Sequence, residues 1–351
     1  MSIAARHSRS SPLPPAPPIS QRVPLLLYGV LLCGAGFAIH ALTPPAGIFL
    51  YLFRLSGKVA YWVCALDYFS AALAWAGIAL GAADLFVLFP FKRLPQTGGP
   101  TNLRNRKLTV VLTAYNDELS IGSAVRDFAA HPLVERVLVV DNNSKDGTAR
   151  AAAEAGAIVV YEPLQGYGRC VYRALREGIS FEDTQLTLLC EGDMTFRAYD
   201  IDKFLSYIPH ADIVNGTRIV EQLRSRDTQL TTFMYYGNFF VGKLLEAKHV
   251  GRGTYTDVGT TYKLCSNSAL ERLLPLLNPS INLEFNAHFL DTAITNKLRV
   301  LECPVTFHNR VGISKGGNAN NLRALRVGIG MMKGIVLGWP RSSKRDTNPI
   351  P

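Results

Sequence analysis

From Lys107 onward the chain predicts a mostly parallel, Rossmann-like α/β sheet, and ahead of it a transmembrane helical hairpin. Three observations carry this expectation. Short β-branched runs alternate with helical stretches of about ten residues, the pattern of β-α-β units. Two apolar runs near the N-terminus each approach the roughly 20 residues that span a bilayer core. Finally, the 351 residues are 48% hydrophobic and only 18% charged, whereas soluble domains carry about a quarter charged residues.

Residues 1–22 are rich in Ser, Pro and Ala, carry Arg6, Arg9 and Arg22, and read as a disordered leader. The hairpin is expected over 23–91, with spans near 23–42 and 68–90. The first run is longer than the 7–15 residue apolar core of a signal peptide. Asp84 is the one acid of the second span and is tolerable near its end. Between the spans, Arg54, Lys58 and Asp67 suit a short interfacial or re-entrant piece. Lys92, Arg93, Arg104, Arg106 and Lys107 follow the second span, while the intervening loop offers Arg54 and Lys58. That asymmetry predicts a two-pass topology with both ends, and everything after residue 107, on the cytoplasmic face.

Residues 92–106 form a Pro/Gly/Asn-rich linker, and the α/β domain is expected over 107–320. Its strands are KLTVVLTAY, ERVLVVDNNS, AIVVYEP, QLTLLCEGD and ADIVNGTR; its helices are Ile121–Ala130, Thr148–Ala155, Gly166–Gly178 and Ile201–Ile208. Residues 321–351 are expected as an amphipathic helix, Leu322–Trp339, and a tail. This helix suits an interfacial position or packing on the sheet edge.

Several functions are excluded. The first strand is followed by Ala114, Tyr115, Asn116, Asp117 and Glu118, not by the G-x-G-x-x-G of a dinucleotide site. Neither G-x-x-x-x-G-K-[ST] nor G-x-S-x-G occurs. The six cysteines are scattered without a C-x-x-C pair, which argues against a disulfide framework or zinc site. The formal charge of +10 suits phosphate-bearing ligands or anionic lipid. Nucleic acid is disfavoured, because the basic residues cluster near membrane-facing segments without interleaved aromatic platforms.

Ligands of parallel sheets bind at the carboxyl ends of strands. At the end of the fourth strand stand Glu191, Gly192 and Asp193. Two carboxylates one residue apart suit a hard cation such as Mg²⁺ or Mn²⁺, shared with phosphate oxygens. The same tripeptide also suits a solvated acidic turn.

The tracts VVLTAYND (110–117), VVDNNSKDGT (139–148), GYGRCVYRALREG (166–178) and EGD (191–193) resemble glycosyltransferase family 2, whose enzymes are nucleotide-diphospho-sugar transferases of the GT-A fold. DIVNGTR (212–218), DVGTTYK (257–263) and ECPVTFHNRVGISK (302–315) narrow the likeness to the dolichol- and polyprenyl-phosphate mannose or glucose synthases. The resemblance runs from about Lys107 to Lys315 and implies roles. Ala114, Tyr115, Asn116 and Glu118 match the nucleotide-contacting first loop, and Asp141 matches the acid that meets base or ribose. Gly166 and Gly168 join the donor site. Glu191 and Asp193 match the metal motif, with Glu in place of its first Asp; Asn142 stands where a second Asp is usual, and Thr195 where relatives often have Gln. Arg218 matches a basic catalytic residue, and Arg310, Ser314 and Lys315 match a phosphate-handling signature. Asp257 and Glu284 fall on the acceptor side, each a general base or a polar brace. Tyr235 and Tyr236 read as packing residues.

The acceptor divides the readings. A lipid monophosphate is already anionic near neutral pH, with a second pKa of about 6, and needs a cationic pocket. Ten Lys and Arg side chains between Lys297 and Arg345, against the single acid Glu302, supply one, or form a juxtamembrane patch. A hydroxyl of a membrane glycolipid or saccharide would instead need a carboxylate base. A non-catalytic scaffold would rest on the departures at Asn142 and Glu191.

Overall fold

In the computed structural model the described residues are 23–53, 57–93, 106–225, 228–312 and 321–340. Helices α1 (Leu25–Leu52) and α2 (Gly57–Ala82) form an antiparallel hairpin, and a π-helical turn, Ala83–Leu88, leads into α3 (Phe89–Lys92). Both long helices are long and apolar enough to cross a membrane. The segment 43–52, expected in a short interfacial or re-entrant piece, continues α1 through Pro44 and Pro45, and 57–67 begins α2. α1 therefore runs past the first predicted span to Leu52, and α2 begins at Gly57, ahead of the second, taking in Lys58 and Asp67.

Close backbone contact holds the hairpin together. A Cβ on Gly29 would lie 2.6 Å from the Gly77 carbonyl, so only glycine allows this approach. Polar groups sit at both ends. Asp84 is fully buried, accepts the Leu26 N–H (2.7 Å), and pairs with Lys92. That carboxylate serves an orphan donor in the first turn of α1. At the other end Asp67 accepts from Thr43 Oγ1 (2.7 Å) and lies 2.7 Å from His40 Nδ1.

The α/β domain contains β1 (Leu108–Ala114), α4 (Glu118–Ala129), β2 (Val134–Asp141), α5 (Thr148–Glu154), β3 (Ile158–Tyr161), α6 (Tyr167–Gly178), β4 (Leu186–Glu191), α7 (Ile201–Tyr207) and β5 (Ile213–Thr217). It continues with α8 (Thr232–Lys248), β6 (Lys263–Ser266), α9 (Asn267–Leu273), α10 (Phe285–Thr295), β7 (Val300–Pro304) and α11 (Asn321–Leu337). The strands form one sheet in the order β3-β2-β1-β4-β6-β5-β7, and only β6 runs antiparallel to its neighbours. The sequence reading anticipated β1 to β5 and missed β6, β7, α8, α9 and α10.

Both faces of the sheet are covered. Along β1, Val110 and Leu112 pack with Phe128, Phe204 and Tyr262, whereas Val111 packs with Leu175, Phe285 and Phe289 on the opposite face. This period of two is what a strand between two helical layers requires. The register sets Ala114 beside Asp141 and Thr113 beside Glu191, so the polar strand ends form one rim. Helix α11 packs against α8, which also touches α1 of the hairpin.

Candidate active site

The rim opens into a cavity of about 1000 Å³. At one end Thr113, Ala114, Tyr115, Asp117, Asn142 and Gly166 line it; Glu191, Asp193, Arg218 and Arg310 stand in the middle. The far end lies between α8 and α11, walled by Phe233, Tyr236, Phe240, Leu325 and Met332.

The acidic pair is held by hydroxyl groups. Asp193 is 1% exposed. Its Oδ1 accepts the Thr195 N–H (3.0 Å) and hydroxyl (2.6 Å). Burial and the neighbouring Glu191 charge push the Asp193 carboxyl up to about 6, against the opposing pull of Arg310. The Arg310 guanidinium lies 3.2 Å from Asp193 Oδ2 and 3.1 Å from Asp117 Oδ1, bridging the ends of β4 and β1. Glu191 Oε1 accepts the Thr261 hydroxyl at 2.6 Å.

These donors fit a hard divalent cation. Glu191 and Asp193 each have one oxygen fixed by a hydroxyl, and Asp193 already faces a positive group. Among the described residues no group of three or more His, Cys, Asp or Glu side chains converges to hold a metal unaided. A cation at this pair would complete its shell with ligand oxygens, as Mg²⁺ and Mn²⁺ commonly do with phosphates.

Other residues singled out in the sequence lie off the cavity wall. Glu118 turns to the Gly147 N–H (3.0 Å) and Arg150 (3.3 Å). Asn116, at φ 51°, accepts the Lys145 N–H at 2.7 Å. Asp141 accepts the Ser144 N–H (3.3 Å) and hydroxyl. Gly168 sits where a Cβ would fall 1.8 Å from the Ile281 carbonyl, which lets the start of α6 press against that loop. Asp257 is fully buried behind Arg218. Burial alone would raise its carboxyl, but Arg218 outweighs that and holds it below the ordinary range. Ser314 and Lys315 lie outside the described residues.

Asn142 has a defined task. Its amide donates to the carbonyls of Glu162 (3.3 Å) and Leu164 (2.9 Å), and its oxygen accepts the Gly166 N–H (2.9 Å). A carboxylate cannot donate to either carbonyl. The asparagine therefore ties β2 to the loop that begins α6.

Sequence reasoning assigned no role to Asp117, which closes the rim opposite Asp193, or to Thr261 and Tyr167. It set Tyr236 aside as packing, yet this residue is 65% exposed and lines the cavity. The signal was present in the spacing of Phe233, Tyr236 and Phe240, one side of a helical repeat.

Comparison with known proteins agrees with this geometry. Residues 109–274 match the family model for glycosyl transferase family 2. The chain belongs to that family, and its mostly parallel sheet with one reversed strand is the GT-A fold. An uncharacterized glycosyltransferase of Mycobacterium tuberculosis is 39% identical over 112 residues, 32% of this chain and 48% of that protein. The chain thus spans about half the length of its mycobacterial relatives. Protein RfbJ of Shigella flexneri is 31% identical over 113 residues, 32% of this chain and 84% of that protein. A dolichyl-phosphate hexose transferase of Haloferax volcanii is 24% identical over 213 residues, 59% of this chain and 86% of that protein. Among solved structures, the glucosyl-3-phosphoglycerate synthase of M. tuberculosis, in complex with Mn²⁺, UDP and phosphoglyceric acid, has a TM-score of 0.48 and 18% identity, covering 68% of this chain and 80% of that one.

Proposed function

We propose that the protein is a membrane-anchored, inverting glycosyltransferase that moves a hexose from a nucleotide-diphosphate sugar to a polyprenyl or dolichyl phosphate. The observation that carries this reading is one continuous cavity, with the strand-end carboxylates at its centre and an apolar groove between α8 and α11 at its far end. The groove lies beside the helices that suit a membrane, because α8 touches α1. A polyprenyl chain reaching the carboxylates from the bilayer would run along Phe233, Tyr236 and Phe240.

The chemistry follows from charge. The acceptor phosphate oxygen attacks the anomeric carbon, the bond to the nucleoside diphosphate breaks, and configuration inverts. Glu191 and Asp193 would hold a divalent ion, which would supply Lewis-acid stabilisation to a departing diphosphate. Arg310 stands between Asp117 and Asp193, where a guanidinium meets developing negative charge on the leaving group. Arg218, held rigid by Asp257, presents a second cation to the cavity. In this reading Ala114, Tyr115 and Gly166 flank the donor, and the α/β domain works at the cytoplasmic face.

Transfer to a saccharide hydroxyl would call for a carboxylate base on the acceptor side. Asp257 is already committed to Arg218, and Glu284 packs against Gly330 of α11. A phosphate acceptor is therefore favoured. The reading is tested with Asp193→Ala: transfer of labelled hexose to polyprenyl phosphate should vanish while the fold persists, and unchanged turnover would remove the carboxylate pair from the mechanism.

A further inference from the structure

A chain of hydrogen bonds runs from the centre of the sheet to Glu191. The Thr261 hydroxyl donates to Glu191 Oε1 at 2.6 Å. The Tyr167 hydroxyl in turn bonds Thr261 Oγ1. Asn286 Nδ2 donates to the Tyr167 oxygen at 2.7 Å and to the Gly259 carbonyl at 3.0 Å. Asn286 Oδ1 faces the Lys263 amine at 3.2 Å. Thr261, Asn286 and Lys263 are all buried.

The direction of every bond in this chain is fixed. The Glu191 carboxylate can only accept, so the single Thr261 proton goes to it, Tyr167 must donate to Thr261, and the Asn286 NH₂ points to the Tyr167 oxygen. Burial and the Glu191 charge push the Tyr167 phenol above its ordinary pKa, which keeps it a donor. The relay ends on a carboxylate that would otherwise be loosely held, since glutamate has one more rotatable bond than aspartate and loses more rotamer freedom when ordered.

We infer that Thr261, Tyr167 and Asn286 are positioning residues for the cation-binding carboxylate of Glu191, setting the oxygen that remains for the ion. This inference rests on the proposed cation site. Polar groups behind metal ligands typically govern affinity by about ten- to a hundred-fold, and the Thr261 hydroxyl is the one in direct contact.

The test is an electron paramagnetic resonance titration of the purified full chain with Mn²⁺ in detergent, in the presence of excess UDP and, in a parallel series, of GDP. Asp193→Ala serves as the reference for loss of the site. Thr261→Val keeps the side-chain shape and deletes the hydroxyl; it should weaken Mn²⁺ binding about ten-fold or more. Thr261→Ser, which restores the hydroxyl, should bind within about two-fold of the parent. Tyr167→Phe should give an intermediate loss, and carries the test alone if Thr261→Val does not fold. Parent-like Mn²⁺ affinity in both Thr261→Val and Tyr167→Phe, with binding abolished by Asp193→Ala, would overturn the positioning role and leave the cation site standing. Equal Mn²⁺ uptake by the parent and Asp193→Ala would remove the cation site and the positioning role together.

Discussion

Asp257 receives three hydrogen bonds from Arg218, at 2.7 Å from Nε, 2.8 Å from Nη2 and 3.0 Å from the backbone N–H. Gly259 adds a fourth, its N–H lying 3.1 Å from Oδ1. The carboxylate is fully buried and the guanidinium 7% exposed. An acid bound this way fixes a cation at the cavity wall and has little basicity left for proton abstraction.

Breaking that pair should act through folding and through the position of Arg218. Removing one partner of a buried ion pair costs about 3–5 kcal/mol, so Asp257→Asn should lower the thermal midpoint markedly. Residual turnover should keep the parent pH profile. Loss of an acid limb from that profile, with stability retained, would instead mark Asp257 as a base.

Restoring an aspartate at position 142 should harm the protein. Asn142→Asp deletes two donors and sets a charge beside the carbonyls of Glu162 and Leu164. A buried unsatisfied group costs about 1–3 kcal/mol. Calorimetry should show a lower melting temperature together with weaker nucleotide-sugar binding, because the loop carrying Gly166 is released.

Helix α11 is pinned at its end. Asp291 accepts from Trp339 Nε1 (2.7 Å), Lys248 Nζ (2.7 Å) and lies 2.6 Å from His249 Nε2. Trp339→Phe removes one bond and keeps most of the packing on Gly334. A loss of about 1 kcal/mol in stability is expected. The Michaelis constant for a polyprenyl phosphate should rise while that for the nucleotide sugar stays unchanged, since only the groove wall moves.

Lys263 gives the fold a pH dependence. Burial drives its ammonium down to about 7 from 10.5. Between those values the unfolded chain binds more protons than the folded one, so stability rises with pH across this window; below it the burial penalty is present in full. The penalty is at most roughly 4–5 kcal/mol. Lys263→Met should raise the thermal midpoint near pH 7, and its advantage over the parent should shrink by pH 9.

Much of this was legible in the residues. β1, β2 and β4 are β-branched or leucine-rich runs; β2 and β4 end in Asp141 and Glu191 and β1 is followed by Asn116 and Asp117, so both their presence and the rim they form could be read. β6 (Lys263–Ser266) and β7 (Val300–Pro304) are short and carry Lys263 and Glu302, whose polar groups meet partners far along the chain, Asn286 and Thr256. The likeness to known enzymes pointed to Glu191 and Asp193. What supports them did not show, because Thr261 meets Glu191 across 70 positions and Asn286 meets Tyr167 across 119. Proximity of that kind is created by the sheet order and leaves no local pattern.

The central claim is that Glu191 and Asp193 bind a divalent ion at the point where a sugar nucleotide meets a lipid phosphate. The most direct measurement incubates the purified chain with Mn²⁺ or Mg²⁺, a panel of labelled nucleotide sugars and polyprenyl phosphate, then extracts the lipid. Label should enter the lipid fraction with one of the donors, depend on the added metal, and disappear in Asp193→Ala. Metal-independent transfer, or label passing only to soluble saccharide hydroxyls, would contradict the account.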